Sequence, residues 1–598
     1  EAMQERQVSV DGVTRPLPTH YGADGLRHEP RAQRGGNLSP VFYIGHWLRD
    51  QRLTFNRTSV QLAPGHHDQY AGSYPLQQDA DQSDVIIVGS GLSGLATAFF
   101  LRRQRPDLRI LLLDSNATFG GNAGRDDGAP LPVPASAAGA YAVAPQSEWL
   151  IDLYRAIGLN WQQHLVPAPF YNYFFDEHTP YAIPGARGWA LDVYGTGVGQ
   201  LPYPAAIRDD LRRAQQDFSD WYHCPGGPTD PADASDPRFD GLAQQSLHDY
   251  LTVSRGYHPA VADFYTRFTI DALAGTAEQV NAYSAISFLG AEYQPIFSLP
   301  GGTSGIARHL LKWLIPTAIQ GETTAQLLTN PIHCAALDQV GQGVRLRQHA
   351  TALRVDEDKT GATVIYFAQE RFYQARARTV VLAGQSYTSR YLVDHLLDEP
   401  TRQAWRSFCF APVVVANVIL RLAAPLVDLG LGYNMFWWGS EHWADFVVAD
   451  WVSPQRYDRE RATVLTFYSG NAMAATAMQE ERIKLLQTPF AVYEASLRAD
   501  LSRVLAQTDF DFERDVGGIY LYRWGHGMVI PTPGFPFGPP QQDNGHCFRT
   551  PAPRHLARQS LGPIHFAGQD VEGSPSLESA IGSGWRVAQA VLVTDMHP

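Results

Sequence analysis

The chain has 598 residues, 44% of them hydrophobic and 18% charged, with a formal net charge of −13. That apolar content excludes disordered, collagen-like and low-complexity classes, and the length allows roughly four domains or sub-domains. The acidic balance argues against a nucleic-acid partner, which needs a basic face, and no run of about 18 uncharged apolar residues is present to span a membrane.

Residues 1–80 are rich in Gly, Pro, Arg, His and Gln and read as an extended arm, with one apolar patch over 41–48. At Asp84 the texture changes. Val85-Ile86-Ile87-Val88 predicts a buried parallel strand, helical periodicity follows through Leu101, and Arg109 to Asp114 predicts a second strand. This is a βαβ unit. Helices are expected over 206–222 and 244–270, strands over 344–346, 353–355, 363–367 and 379–383, and a helix over 479–507. The Pro/Gly-rich stretch 527–547 reads as irregular, and the chain returns to a strand at 564–568 and a helix over 577–592.

Four cysteines without a CxxC pair make a disulfide framework or zinc ribbon unexpected. The only lysines are Lys312, Lys359 and Lys484. The sequence opens without an apolar leader, so no signal peptide is visible, and bacterial cytoplasm and periplasm both stay open.

Gly89-Ser90-Gly91-Leu92-Ser93-Gly94 is a G-x-G-x-x-G that follows a predicted strand and opens a predicted helix. The glycines permit a tight turn, backbone approach to a pyrophosphate and close helix–strand packing. The helix start offers free N–H groups to phosphate. Asp114 ends the second strand, where a carboxylate accepts hydrogen bonds from a ribose, and Ser115 follows it.

Three further segments carry a resemblance. Phe119-Gly120-Gly121-Asn122-Ala123-Gly124-Arg125 resembles the second dinucleotide motif of the FAD family that includes flavin amine oxidases and phytoene desaturases. His565-Phe566-Ala567-Gly568-Gln569-Asp570, with Leu577 to Gly584, resembles that family's closing FAD motif; Gln569 stands where an acid is usual, leaving open whether Gln569 or Asp570 reaches the cofactor. Leu299-Pro300-Gly301-Gly302 resembles the family's Pro-Gly-Gly turn. Together with Tyr522-Arg523-Trp524-Gly525-His526-Gly527, these segments look like bacterial spermidine dehydrogenases.

The resemblance implies an α/β fold: an FAD/NAD(P)-binding Rossmann-like domain of the flavin amine oxidase type with an interleaved mixed α+β substrate domain. It implies FAD held by Gly89, Ser90, Gly91, Ser93, Gly94, Asp114, Ser115, Gly120, Gly121, Arg125, Ala352, Gly568, Gln569, Asp570, Ser579 and Ala580. The expected partition is the arm over 1–80, an FAD domain over 81–165, 285–390 and 548–598, and a substrate domain over 166–284 and 391–547. Some family members carry haem b. His46 matches one axial ligand, but His28 supplies the second only across a gap and an ungapped match puts Leu38 there, so the residues do not support a haem.

The implied reaction is oxidation of an amine or polyamine C–N bond by hydride transfer to flavin N5. His526, as a proton acceptor, and Trp524 are the candidate catalytic residues. Glu292 is a candidate to pair with an amine, set against a surface carboxylate. Trp438, with Trp437, Trp443 and Trp451, is a candidate for cation–π contact, set against core packing. Many relatives place a lysine near N5, yet none occurs between 359 and 484. The electron acceptor, oxygen or a redox protein, is therefore left open. The alternatives are oxidation of an amino-acid-like or natural-product substrate, C–C desaturation of the phytoene-desaturase type, and a flavoprotein-like scaffold without turnover.

Overall fold

A computed structural model describes residues 6–10, 13–17, 32–36, 39–65, 70–79, 82–126, 135–136, 138–166, 171–177, 180–182, 188–224, 236–292, 294–448, 458–469, 478–543 and 546–595. The apolar run at Asp84 forms β1 (Val85–Val88), followed by α1 (Leu92–Gln104) and β2 (Ile110–Leu113). The chain returns to this sheet with β3 (Val344–Arg347), β4 (Thr379–Leu382) and finally β5 (Ile564–Phe566), and α2 (Leu577–Asp595) follows. The five strands are all parallel, in the order β3-β2-β1-β4-β5. Near-continuous apolar strands are what a sheet covered on both faces requires. One face packs on α1, α2 and the Ser304–Leu314 helix through Leu95, Phe99, Ile306, Leu310 and Val587. The other packs on an antiparallel layer, Thr351–Asp358, Gly361–Ala368 and Arg371–Ala377, through Val355, Val364 and Val380.

The second lobe is an eight-stranded mixed sheet with Phe410–Leu420 and Val516–Val529 at its heart. Two cores flank it, one against the Pro259–Leu273 helix and one against the Phe490–Val504 helix.

Four elements differ from the sequence reading. Within the stretch read as irregular over 527–547, a strand runs on to Val529 and Pro540–Asp543 pairs with His546–Arg549. Residues 1–80 are more regular than an arm: Ser39–Arg49 is a helix, and Leu53–Phe55, Ser59–Leu62 and Gly72–Gln78 extend the antiparallel layer. The helix expected over 244–270 is broken, because His258 caps a new helix opening at Pro259. The one expected over 479–507 is cut by Pro489 into Met478–Gln487 and Phe490–Val504. Among the described residues no helix is long and apolar enough to cross a membrane.

Candidate active site

The turn after β1 is built to bring backbone to a ligand. Gly89 has φ 108°, a conformation that favours glycine. A Cβ on Gly94 would sit 2.0 Å from the Gly89 carbonyl oxygen, so only glycine lets α1 start this close to the strand. Gly91 differs: a Cβ there would meet nothing nearer than 3.9 Å, so its backbone borders open space. No side chain caps α1, which leaves its first N–H groups to a ligand.

Asp114 closes this end. Its Oδ2 accepts from the Ser90 N–H at 2.8 Å and the Ser90 hydroxyl at 2.5 Å, and its Oδ1 accepts from the Asn116 N–H at 2.8 Å. Burial pushes its carboxyl up, and these bonds oppose that shift. The Ser90 side chain therefore serves the carboxylate. The Gly120 N–H donates to the Ser90 carbonyl at 2.9 Å, clipping the second glycine motif to the first.

A cavity of about 970 Å³ runs from this turn into the second lobe. Gly89, Gly91, Ser93, Asp114, Ser115, Gly120, Gly121, Ala352, Gly568, Gln569, Asp570 and Ala580 border it. Of the pair left open by the sequence, both Gln569 and Asp570 reach the cavity, and Asp570 Oδ2 also accepts from the Ser386 N–H and hydroxyl, each at 2.9 Å. The uncapped helix start, the open Gly91 and the buried Asp114 fit a dinucleotide. Four expected residues stand behind this wall: Ser90, 0% exposed, turns its hydroxyl to Asp114. Gly94 packs against Gly89, Ser579 is fully buried at the start of α2, and the Arg125 guanidinium donates to the carbonyls of Pro300 and Leu328.

Trp524 and His526 enter the cavity from the Val516–Val529 strand. His526 stacks on Tyr387, and its carbonyl accepts from Gln385 Nε2 at 2.8 Å. Among the described residues its Nε2 has no hydrogen-bond partner. Burial first, then Arg482, His46, Arg390 and Arg49, hold the imidazole well below its ordinary value. His46 borders the same cavity; His28 and Leu38 lie outside the described residues.

The inner end of the cavity is acidic. Glu292 is buried, not at the surface; its Oε1 accepts from the Tyr141 hydroxyl at 2.6 Å and its Oε2 from Tyr171 at 2.6 Å and Tyr433 at 3.0 Å. Burial pushes its carboxyl up, opposed by the three hydroxyls. Asp271 borders the cavity beside it. Behind Asp271 lies Asp445, fully buried on the Trp443–Val447 strand.

Trp438, expected at the substrate, is instead packed in the core against Phe175 and Tyr203 and does not border the cavity. Trp437 and Trp443 are fully buried, with Trp437 Nε1 donating to the Trp443 carbonyl at 3.1 Å. Each lies on a strand whose alternate residues must fill a core. Trp451 lies outside the described residues. Asp271, Asp445, Tyr141, Tyr171, Tyr433 and Gln385 were not singled out from sequence. The signal for the two aspartates was a lone acid inside an apolar run, in Phe-Thr-Ile-Asp-Ala-Leu and Trp-Ala-Asp-Phe-Val.

Residues 87–156 match the family model for an NAD(P)-binding Rossmann-like domain. The curated "Oxidoreductase PigB" of Serratia sp. (strain ATCC 39006) is 24% identical over 597 residues, spanning 90% of this chain and 78% of that protein. A putrescine oxidase structure superposes with a TM-score of 0.57 at 18% identity, covering 86% of this chain and 99% of that one. Cyclohexylamine oxidase from Brevibacterium oxydans IH-35A superposes at 0.56 with 16% identity, covering 86% and 100%. The chain thus has the mixed α/β fold of flavin amine oxidase structures, with its Rossmann-like domain.

Proposed function

We propose that this protein is an FAD-dependent oxidoreductase that oxidises the C–N bond of a small amine, of the polyamine or alkylamine class, to an imine. The observation that carries the reading is a single cavity joining the Asp114 turn at one end to the Glu292 carboxylate at the other. The dinucleotide would rest on Gly89–Ser93 and the α1 start, with Asp114 at a ribose and Ala352, Gly568 to Asp570 and Ala580 along its length. Bound there, a flavin supplies a hydride acceptor.

The chain's own residues select and orient the substrate. Glu292, clamped by three tyrosine hydroxyls, presents an oriented carboxyl group that pairs with an ammonium at the inner end. Trp524 presents an aromatic flank, and the neutral His526 stands beside it. Burial of this end keeps water from competing for the amine. The names of the structural neighbours, a putrescine oxidase and a cyclohexylamine oxidase, agree with this chemistry. C–C desaturation calls for an apolar inner end, which a buried carboxylate disfavours.

The test is the visible spectrum of the purified protein during anaerobic titration with spermidine, putrescine, cyclohexylamine and amino acids. Flavin bands that bleach with an amine support the reading and identify the substrate class. Flavin bands that no amine bleaches overturn it. A Soret band in the same spectrum would place a haem in the molecule and make His46 the first ligand to replace.

A further inference from the structure

The acidic end holds more carboxylate than its surroundings neutralise. Asp271, from the Pro259–Leu273 helix, and Asp445, from the strand packed on that helix, lie against one another, with Glu292 close by. Among the described residues, neither oxygen of the fully buried Asp445 receives a bond from an N–H or O–H donor; what it meets is the Asp271 carboxyl. Two carboxyl groups bond directly only when a proton lies between them.

The remaining groups facing the pair are Arg267, Tyr173, Tyr141 and Tyr468. Arg267 lies one helical turn before Asp271, near enough to be felt by Asp445, but makes no ion pair with either aspartate. The Tyr468 hydroxyl is spent on the Ala138 carbonyl. Burial, and the charges of the other acids, push both aspartates up. Among the described residues no three His, Cys, Asp or Glu side chains converge as metal ligands do. Glu292 already accepts three hydrogen bonds, whereas the aspartate pair has acceptors to spare.

We infer that Asp271 and Asp445 are the hydrogen-bonding anchor for the substrate's ammonium group, and that its binding expels the proton they share. This rests on the amine reading above and names the atoms that recognise the amine. The balance is simple: the ammonium keeps its three N–H bonds and donates to the Asp271 carboxylate at the cavity wall, Asp445 behind it carries the second negative charge, and one proton leaves to solvent. No electrons move. Asp271 contacts the ligand from the cavity wall, and Asp445 completes the pair from behind it.

The test uses the FAD-loaded protein and tert-butylamine, a probe whose nitrogen-bearing carbon has no hydrogen to lose. Difference infrared spectroscopy at neutral pH reads the C=O stretch of a protonated carboxyl, and calorimetry in buffers of different ionisation enthalpy counts protons. The expected result is a protonated-carboxyl band that vanishes with tert-butylamine as about one proton is released. Asp445→Asn should lack that band and bind the probe roughly tenfold or more weakly. If that variant does not fold, Asp271→Asn, at the cavity wall, gives the same readout. A wild type without the band, a band that persists at saturation, or wild-type affinity in both variants overturns the inference. The two proposals fail separately. Amines that bleach the flavin while the band stays put leave the oxidation standing and remove the anchor. A band that responds while no amine bleaches the flavin does the reverse.

Discussion

The imidazole of His526 lies flat against the ring of Tyr387, centroids 3.5 Å apart and planes 19° from parallel. The stack buries the histidine among Arg482, Arg390 and Arg49, and every one of these influences opposes a proton on it. Its pKa falls, so imidazolium forms only at pH well below 6.5. The expected outcome is that His526→Asn changes the rate of anaerobic flavin reduction by an amine but not the pH at which that rate turns over. A turnover pH that moves with this substitution would make His526 the titrating base.

Glu292→Gln keeps the shape and removes the charge. It should raise KM for an amine about tenfold and leave the flavin-to-protein ratio unchanged, since no cofactor-turn residue touches it. Loss of flavin in this variant would mean that Glu292 supports the cofactor end instead.

At the other end, Asp114→Ala strips the groups that organise Ser90 and Asn116. Flavin should leave this variant on gel filtration. Gly94→Ala should do the same by a different route. Its methyl would overlap the Gly89 carbonyl, a cost of about 1–3 kcal/mol or more in a packed turn. Absorbance ratios before and after the column check both.

The aspartate pair should also leave a mark on stability. In the unfolded chain both groups ionise near pH ~4. Folding raises them, Asp271 to about 7. The stabilising effect of the retained proton is therefore fully present below about pH 4 and is lost as pH rises through about 7. Wild-type Tm should fall across that window relative to Asp445→Asn, whose amide does not titrate. Parallel Tm curves for the two proteins would count against a shared proton.

Glu572 is a carboxylate buried between Arg558 at 2.8 Å and Arg586 at 2.6 Å, the latter on α2. Glu572→Ala would remove the carboxylate that joins two part-exposed guanidiniums, of which Arg586 keeps its bond to the Phe566 carbonyl, a cost of about 1–3 kcal/mol. Urea unfolding should report that loss.

Much of the cofactor end was legible because its chemistry is local. A strand, a glycine turn, a helix start and an acid lie within thirty residues, and backbone geometry dictates their types. The closing segment was legible for the same reason. The substrate end was not, because it is assembled across the chain: Asp271 and Asp445 meet from a helix and a strand that no local pattern links. Trp438 misled because an aromatic cluster looks the same whether it lines a cavity or fills a core. The helix over 244–270 was over-extended because its apolar spacing runs on past His258-Pro259, where the caps restart it.

The parallel sheet has a temporal consequence. β1 pairs with β4, and β4's other edge is covered by β5, which a ribosome makes hundreds of residues after β1. α2 then packs on α1, the helix whose start borders the cavity. A nascent chain therefore carries its glycine turn for most of its synthesis without the strand and helix that complete the groove. Cofactor capture becomes a late event, and any truncation before Ile564 should yield a chain that no excess of flavin can rescue.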